Sequence, residues 1–539
     1  MCPGLLLFLL LAALNSESTA KLPEDSTGTK FIAAFPENIA YYYPVQPENK
    51  IQITALYDNT NVTIQMHTFN PTTETMRAGQ SKDFVLHSRM ELRKSQISNK
   101  TLVITSNHNI IVRAISLKHN SVQSALLIPT DKLGKEYLIP PTPRIPGTTD
   151  QVTLDVTERS PFKLIIISAE QGTTVTIEGA KTENVQLESH QLTQIWINES
   201  DKLRAIKADQ PVAVLFAHSC AIRSECTCGL LYTMLLPAKE EKSKFFIPPV
   251  LVRDVYAETF LLLSEKESTE IMAFNSTVPL VKTANSAILY RPGLLLTLIP
   301  ETDFASCFFV SPVFTVETSA VIIVHKNFTD GVRIGNSPPM NPDWQELKDT
   351  MYVSTEIKLE QNKNFIWHTS SKMAVYIIEK NGSALFGNPA PIISTSPDFR
   401  GCAVTPEVVK IGEVAQGWRE SLQYCKNMSL DLVSISDAQL GAQIYEKITQ
   451  VKNNGVEEVW IGMRRSSLTG NWYWLNNSPV SETNWEGGEP SKDNGQCAIM
   501  SLKTGKNFGW SDEDCCKAAH PVCYKNVSIF SLCCENPTG

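Results

Sequence analysis

Four aromatic side chains, Trp472, Tyr473, Trp474 and Trp485, stand close together in the chain beside Asn471, Asn476, Asn477 and Asn484. Aromatic faces stack on the apolar faces of a ligand, and side-chain amides fix its hydroxyls. That is the equipment of a surface that reads a glycan or a protein epitope. The same rings can also pack a loop against its base, and about half of them are expected to do so. Chemistry that breaks bonds has no comparable support. The nine histidines are scattered, with no His-Glu-x-x-His pair, no Gly-x-Ser-x-Gly turn and no phosphate-binding glycine loop. The chain reads as a binder, not an enzyme.

Such a loop needs elements to hold it. Gly412 to Cys425 and Ser436 to Gln450 read as amphipathic helices; in the second, Leu440, Ile444 and Ile448 recur every four residues and Ser436-Asp437 offers an N-cap. Six of the nine tryptophans lie beyond residue 417, and Trp418, Trp460 and Trp510 are expected in the core. In order along the chain run Trp418, Cys425, Trp460-Ile461-Gly462-Met463, Glu489-Pro490-Ser491, Cys497, Trp510-Ser511-Asp512, Cys515 and Cys523. This series resembles the C-type lectin-like domain, an α+β recognition module, and assigns it residues 397–525, with a cysteine-containing tail over 526–539.

The resemblance implies two disulfides, Cys425 with Cys523 and Cys497 with Cys515, although the adjacent Cys515-Cys516 leaves the second open by one residue. Each would contribute roughly 2–4 kcal/mol. Cys402, Cys516, Cys533 and Cys534 remain, with three possible pairings and a link to a second chain all open. In sugar-binding members calcium sits on a Glu-Pro-Asn loop, a Glu before the next cysteine and a Trp-Asn-Asp strand. Calcium takes six to eight oxygens, several of them charged. Here Glu489 and Asp512 match, Ser491 and Ser511 replace the amides, and Asn494-Gly495-Gln496 carries no glutamate. Asp493, Asn494 and Gln496 compensate in part at most, so calcium is expected to bind weakly or not at all. Recognition would then run through Glu489, Ser491, Asn494, Ser511, Asp512, Trp472 and Trp485.

With 539 residues, the chain exceeds what one core usually holds. A net charge of −8 argues against nucleic-acid binding, which needs a basic face. Residues 1–20 read as a secretory signal, an apolar run from Leu5 to Leu14 leading to Ser18 and Ala20; no stretch reaches the roughly 20 apolar residues of a membrane span. Removing Cys2 with the signal leaves twelve of thirteen cysteines, an even number suited to oxidised pairs. His218 with Cys220, Cys226 and Cys228 imitates a metal cluster, but with Cys307 completing the set two disulfides are favoured over zinc. Nine sequons, at Asn61, Asn99, Asn198, Asn275, Asn327, Asn381, Asn427, Asn476 and Asn526, suit a glycoprotein.

Residues 21–396 are poor in cysteine and rich in short Val, Ile, Thr and aromatic runs bounded by Asn, Gly, Asp and Pro, which predicts repeated β-sandwich-like units. Ile128-Pro129 and Pro140-Pro141 recur as Leu236-Pro237 and Pro248-Pro249, both displaced by 108. Ile110 to Ala114 corresponds to Val212 to Phe216, and a third copy is expected at Ala320 to Val324. Asn61 to Ile64 corresponds to Thr174 to Ile177 and, more weakly, to Glu270 to Ala273. The units fall roughly at 30–137, 138–245 and 246–350, with a remainder to 396, each expected to be a small domain. Leu126 to Thr130, Glu136 to Pro140 and Ala208 to Val212 carry a resemblance to the N-terminal domain of IgGFc-binding proteins over about 30–393. Together the two resemblances imply a secreted protein binding extracellular glycans or glycoproteins, in innate defence or at mucosal surfaces. The alternative is a matrix or mucus protein whose lectin fold binds protein without calcium; the oligomeric state stays open.

Overall fold

The computed structural model describes residues 25–529 apart from 40–45, 67–68, 94–95, 119–120, 150–151, 156–160, 225–226, 253–258, 275–279, 314–316, 360–364, 382–383, 406–407, 452–454, 482, 492–494 and 527. The expected signal segment, Cys226, Asn275, Asn494, Cys533 and Cys534 lie outside the described residues. The chain divides into two compact units, one running to Ala403 with residues 530–539 and one spanning Val404–Ile529.

The first unit is almost entirely antiparallel β-structure, built on one pairing pattern used repeatedly. In the first copy, Glu48–Ala55 lies between Ser81–Val85 and the far half of Leu102–Lys118, which also pairs with Ser121–Leu126. Thr60–Met66 lies between Thr72–Met76 and the near half of that long strand, which also holds Gly28–Ala33. The second copy repeats this. Lys163–Ser168 sits between Leu192–Trp196 and Val212–Ser224, and Thr227–Met234 follows. Thr173–Glu178 sits between Glu183–Leu187 and Ala205–Ala208, which pairs with Glu136–Leu138. The burial pattern BiBiBi of Thr173–Glu178 is the period-two signature of a strand with one buried face.

The third and fourth copies depart from the expected spacing. The third is short: Phe260–Ser264 between Thr269–Ala273 and Ser286–Arg291, then Leu294–Thr297, with Ser243–Phe246 on Val281–Ala284. The fourth is long, placing Glu317–His325 between Tyr352–Lys358 and Met373–Asn381, followed by Ala384–Pro389. Ala320 to Val324 therefore occupies the place of Lys163–Ser168, not of Val212–Ser224, whose counterpart is Met373–Asn381. Both are buried apolar central strands, so their residue types are interchangeable and the sequence match misassigned one for the other. Likewise Glu270 to Ala273 forms an edge strand, unlike Asn61 to Ile64 and Thr174 to Ile177. Residue 350 divides no copy, because Glu317–His325 pairs with Tyr352–Lys358 across it.

Nor are the copies separate small domains. One core runs from Phe31 to Met234, a second from Tyr137 to Leu295, a third from Phe245 to Ile378, each shared by neighbours. The last strands of the four copies pack in cyclic order. Leu230 N–H donates to Ser121 Oγ at 3.0 Å, and the hydroxyls of Thr233 and Thr297 meet at 3.0 Å. Gly387 lies so close to Leu294 that a Cβ would sit 3.2 Å from its methyl. Asn388 Nδ2 donates to Ser124 Oγ at 2.6 Å. Arg113, 7% exposed, ion-pairs with Glu379, 2% exposed, at 2.9 Å between the first and fourth copies. Ser26 N–H donates to Ile392 O, and Ile392 N–H to Ser26 Oγ. The unit is a closed ring around a cavity of about 90 Å³ lined by Leu127, Met234, Leu298 and Ala390.

Among the described residues two disulfides belong to this unit. Cys220 joins Cys228 across adjacent strands, and Cys307 joins Cys402, with Cα separations of 5.0 and 5.5 Å. Cys307 thus does not complete the 220–228 group. The two residues meet because Cys307–Phe309 pairs with Ile392–Ser394, a few residues from Cys402.

In the second unit Val408–Ile411, His520–Lys525, Glu458–Arg465, Cys497–Ser501 and Trp510–Glu513 form a sheet in that order. Two helices accompany it, Trp418–Asn427 and Ala438–Val451. The first begins six residues later than expected. Gly412 is bonded to Pro521 O and pressed against that ring, which holds the preceding chain extended, and Gly417 becomes the N-cap. The second is capped by Asp437, whose Oδ1 accepts from Leu440 N–H at 2.8 Å. Ile444 and Ile448 are fully buried against Val459, Ile461 and Met463. Trp418 Nε1 donates to Ile461 O and Trp460 Nε1 to Gln416 O, so these two buried indoles are satisfied.

Candidate ligand-binding site

Cys425 is joined to Cys523 and Cys497 to Cys515, with Cα separations of 5.3 and 5.2 Å. Cys516 is exposed and has no disulfide partner among the described residues. The second bond anchors one end of Cys497–Ser501 beside Trp510–Glu513, where Ala498 faces Asp512 and Ile499 faces Ser511. This fixes Asp512 under the loop that carries the cis Glu489–Pro490 peptide.

Three of the expected ligand residues come together there. Ser491 N–H donates to Asp512 Oδ1 at 2.5 Å and to Glu489 Oε2 at 3.1 Å, and Ser491 Oγ donates to Asp512 Oδ2 at 3.0 Å. A hydrogen bond to Asp512, helped by burial, holds the Glu489 carboxyl above the ordinary range. Burial pushes Asp512 up, but bonds from Glu489 and Ser491 outweigh it and leave that carboxyl below its ordinary value. The two carboxyls are thus driven apart in their affinity for a proton, as close carboxylates are. Ser511 is half-buried on the neighbouring strand position.

Among the described residues this donor set falls short of what calcium takes. Ser491 bonds both oxygens of Asp512, and no group of three or more acidic, His or Cys side chains among those residues could share an ion. Gly495 explains part of the deficit. A Cβ there would lie 2.3 Å from Glu513 N and 2.7 Å from Asp512 Oδ2, so the segment before Cys497 has no room for a side chain at that position. Among the described residues, which leave out Asp493 and Asn494, six to eight oxygens are not assembled around Asp512.

The aromatics divide by strand alternation. Trp472–Trp474 pairs with Glu458–Arg465, so Trp472 and Trp474 share a face and Tyr473 takes the other. Trp474 is fully buried, edge-to-face with Trp510 at 5.4 Å; Trp485 meets Trp510 at 5.9 Å and Trp472 at 4.9 Å. Trp472 and Trp485 are half-buried, and Tyr473 is 39% exposed. A stack of four rings thus carries the loop, with Tyr473, Asn471, Asn476 and Asn477 outside it. Sequence reasoning passed over Arg464 and Arg465, which face Tyr473 and Trp472 across the hairpin and line a hollow of about 470 Å³ with Ser466, Leu468, Asn471 and Tyr473. The adjacent arginine pair just before the turn was the signal.

Elsewhere, His218 Nδ1 accepts from Cys220 N–H at 3.2 Å in a buried setting. Asn61, Asn99, Asn198, Asn327, Asn427, Asn476 and Asn526 are exposed, as glycan attachment requires. Among the described residues no helix is long and apolar enough to cross a membrane.

Residues 414–525 match the family model described as lectin C-type domain. They form a C-type lectin domain. Residues 17–205 match the model described as IgGFc binding protein. Over 395 residues, 65% of this chain, the sequence is 24% identical to human IgGFc-binding protein; over 109 residues, 20% of this chain, it is 30% identical to human C-type mannose receptor 2. The chain spans only 7% of the length of each of these relatives. Human lithostathine is a similar solved structure, 28% identical, covering 23% of this chain and 94% of its own, with a TM-score of 0.21. The chain is a lectin-like protein whose matched families are binding rather than enzymatic types.

Proposed function

We propose that the chain is a secreted recognition protein whose lectin domain binds extracellular carbohydrate or glycoprotein without depending on calcium. The single observation carrying this is the Glu489–Ser491–Asp512 arrangement within the lectin domain, where Ser491 bonds both carboxylates. Recognition then runs through the Trp472–Trp485 loop, whose exposed Tyr473 and amides stand on a rigid aromatic base. The even cysteine count after signal removal and the exposed sequons support secretion, and an innate-defence or mucosal setting follows from the two families together. A glycan array probed with and without chelator tests the reading. Glycan binding unchanged by chelator is expected; binding abolished by chelator would overturn calcium independence, and no glycan binding at all would overturn the lectin role.

A second reading is favoured by the relative named for binding IgGFc, which aligns over 65% of this chain. There the protein is a matrix or mucus component, and both units bind protein surfaces. Retained binding to deglycosylated matrix glycoproteins, with a silent array, would select it.

A further inference from the structure

We propose that the hollow formed by Arg464, Arg465, Asn471 and Tyr473 is an acidic-saccharide site, taking the sulfate or carboxylate groups of a glycan. It deepens the glycan-binding reading and rests on it. It lies on the hairpin of Glu458–Arg465 and Trp472–Trp474, built from residues other than the Glu489–Asp512 group.

Four observations support the assignment. First, neither arginine has a carboxylate partner among the described residues, whereas Lys426, Lys503, Lys506 and Lys517 of the same unit are all ion-paired. Second, the two guanidiniums are held in place. The Arg464 guanidinium carbon lies 5.5 Å from the centre of the Trp418 ring, and Arg465 Nε donates to Gly470 O at 3.0 Å, leaving its terminal nitrogens for a ligand. Edge donation from a fixed guanidinium is the geometry that grips a carboxylate or sulfate with two parallel bonds. Third, the turn between the strands is rigid. Ser466 N–H donates to Asn471 O and Gly470 N–H to Ser466 O, both at 2.8 Å, and Gly470 adopts φ +71°, a left-handed value that glycine accepts freely. A preorganised turn avoids an ordering cost on binding. Fourth, among the described residues no acidic side chain lines the hollow, while exposed Tyr473 and Asn471 supply a stacking face and an amide beside the cations.

The test is calorimetric titration of the full-length protein with three probes: a sulfated hexasaccharide, a sialylated N-glycan and a neutral mannose oligosaccharide. Proteins compared are wild type, the double variant Arg464→Gln/Arg465→Gln and the double variant Arg464→Lys/Arg465→Lys. Wild type should bind at least one acidic probe more tightly than the neutral one. The Gln variant should lose about tenfold or more of that acidic affinity, with neutral binding unchanged. The Lys variant, charged but without the planar fork, should recover only part of it. Which acidic probe responds separates a sulfate from a carboxylate ligand. Neutral binding without acidic preference, or acidic affinity unaltered in the Gln variant, overturns the site while leaving the lectin reading intact. No binding to any probe sinks both. Unchanged thermal unfolding of the Lys variant, which keeps the stem over Trp418, separates loss of the ligand contact from loss of the fold.

Discussion

Glu489, Ser491 and Asp512 are tied together atom by atom. Raised by Asp512 and by burial, the Glu489 carboxyl contributes stability that is complete below the ordinary Glu range and lost as pH rises through its raised value. Asp512, lowered on balance, contributes stability present above the ordinary Asp range and lost as pH falls through its lowered value. The loop should therefore be tightest in the acidic window between the two and loosen toward neutrality, when both groups are charged. Tryptophan fluorescence, reporting Trp485 beside the loop, should show both limbs in a pH titration. Glu489→Gln keeps a donor toward Asp512 but cannot titrate, so the upper limb should vanish; its persistence would rule out Glu489 as the titrating group. The exchange of amides for Ser491 and Ser511 was legible in the sequence. That Ser491 would fill both Asp512 oxygens was not, because it depends on how the loop turns back onto the strand.

At the scale of elements, Gly495 acts through the strand it touches. With Glu513 N where a Cβ would stand, Gly495→Ala should displace Trp510–Glu513 and cost about 1–3 kcal/mol in urea unfolding. Gly495→Glu, which supplies the missing carboxylate on paper, should be at least as costly and should produce no calcium heat in calorimetry. The helix and strand content of this unit could be read from its landmarks, since Trp, Gly and Cys positions are set by packing and bonding that tolerate few alternatives. The β-copies were harder. The first two share a displacement of 108 and the same strand order, so their pairing was visible. The third is truncated, and its closing Ile299-Pro300 comes only 63 residues after Leu236-Pro237. That dipeptide was the available marker. Buried strands such as Glu317–His325 and Val212–Ser224 share an apolar texture that identifies a centre of a sheet without saying which one.

For the molecule as a whole, the ring makes the first unit a single cooperative body. Arg113 also donates to Ser311 O at 2.6 Å and to Ser124 Oγ at 3.2 Å, so it reaches both sides of the junction between first and fourth copies. Glu379→Ala would strand this buried cation and should destabilise the unit by about 3–5 kcal/mol. Calorimetry should show the whole unit melting in one transition shifted down, since cores are shared around the circle; a separate early transition for the fourth copy alone would contradict that. The Ser26–Ile392 contact has a further consequence. A string of beads cut between two beads falls into two pieces, but a closed circle cut once merely opens. A protease that nicks any one connecting loop should leave a particle of unchanged native mass, its two fragments parting only in denaturant, and release should require a second cut elsewhere on the circle. A protein built this way would outlast its first wound in a protease-rich fluid, and size-exclusion chromatography after limited digestion would show it.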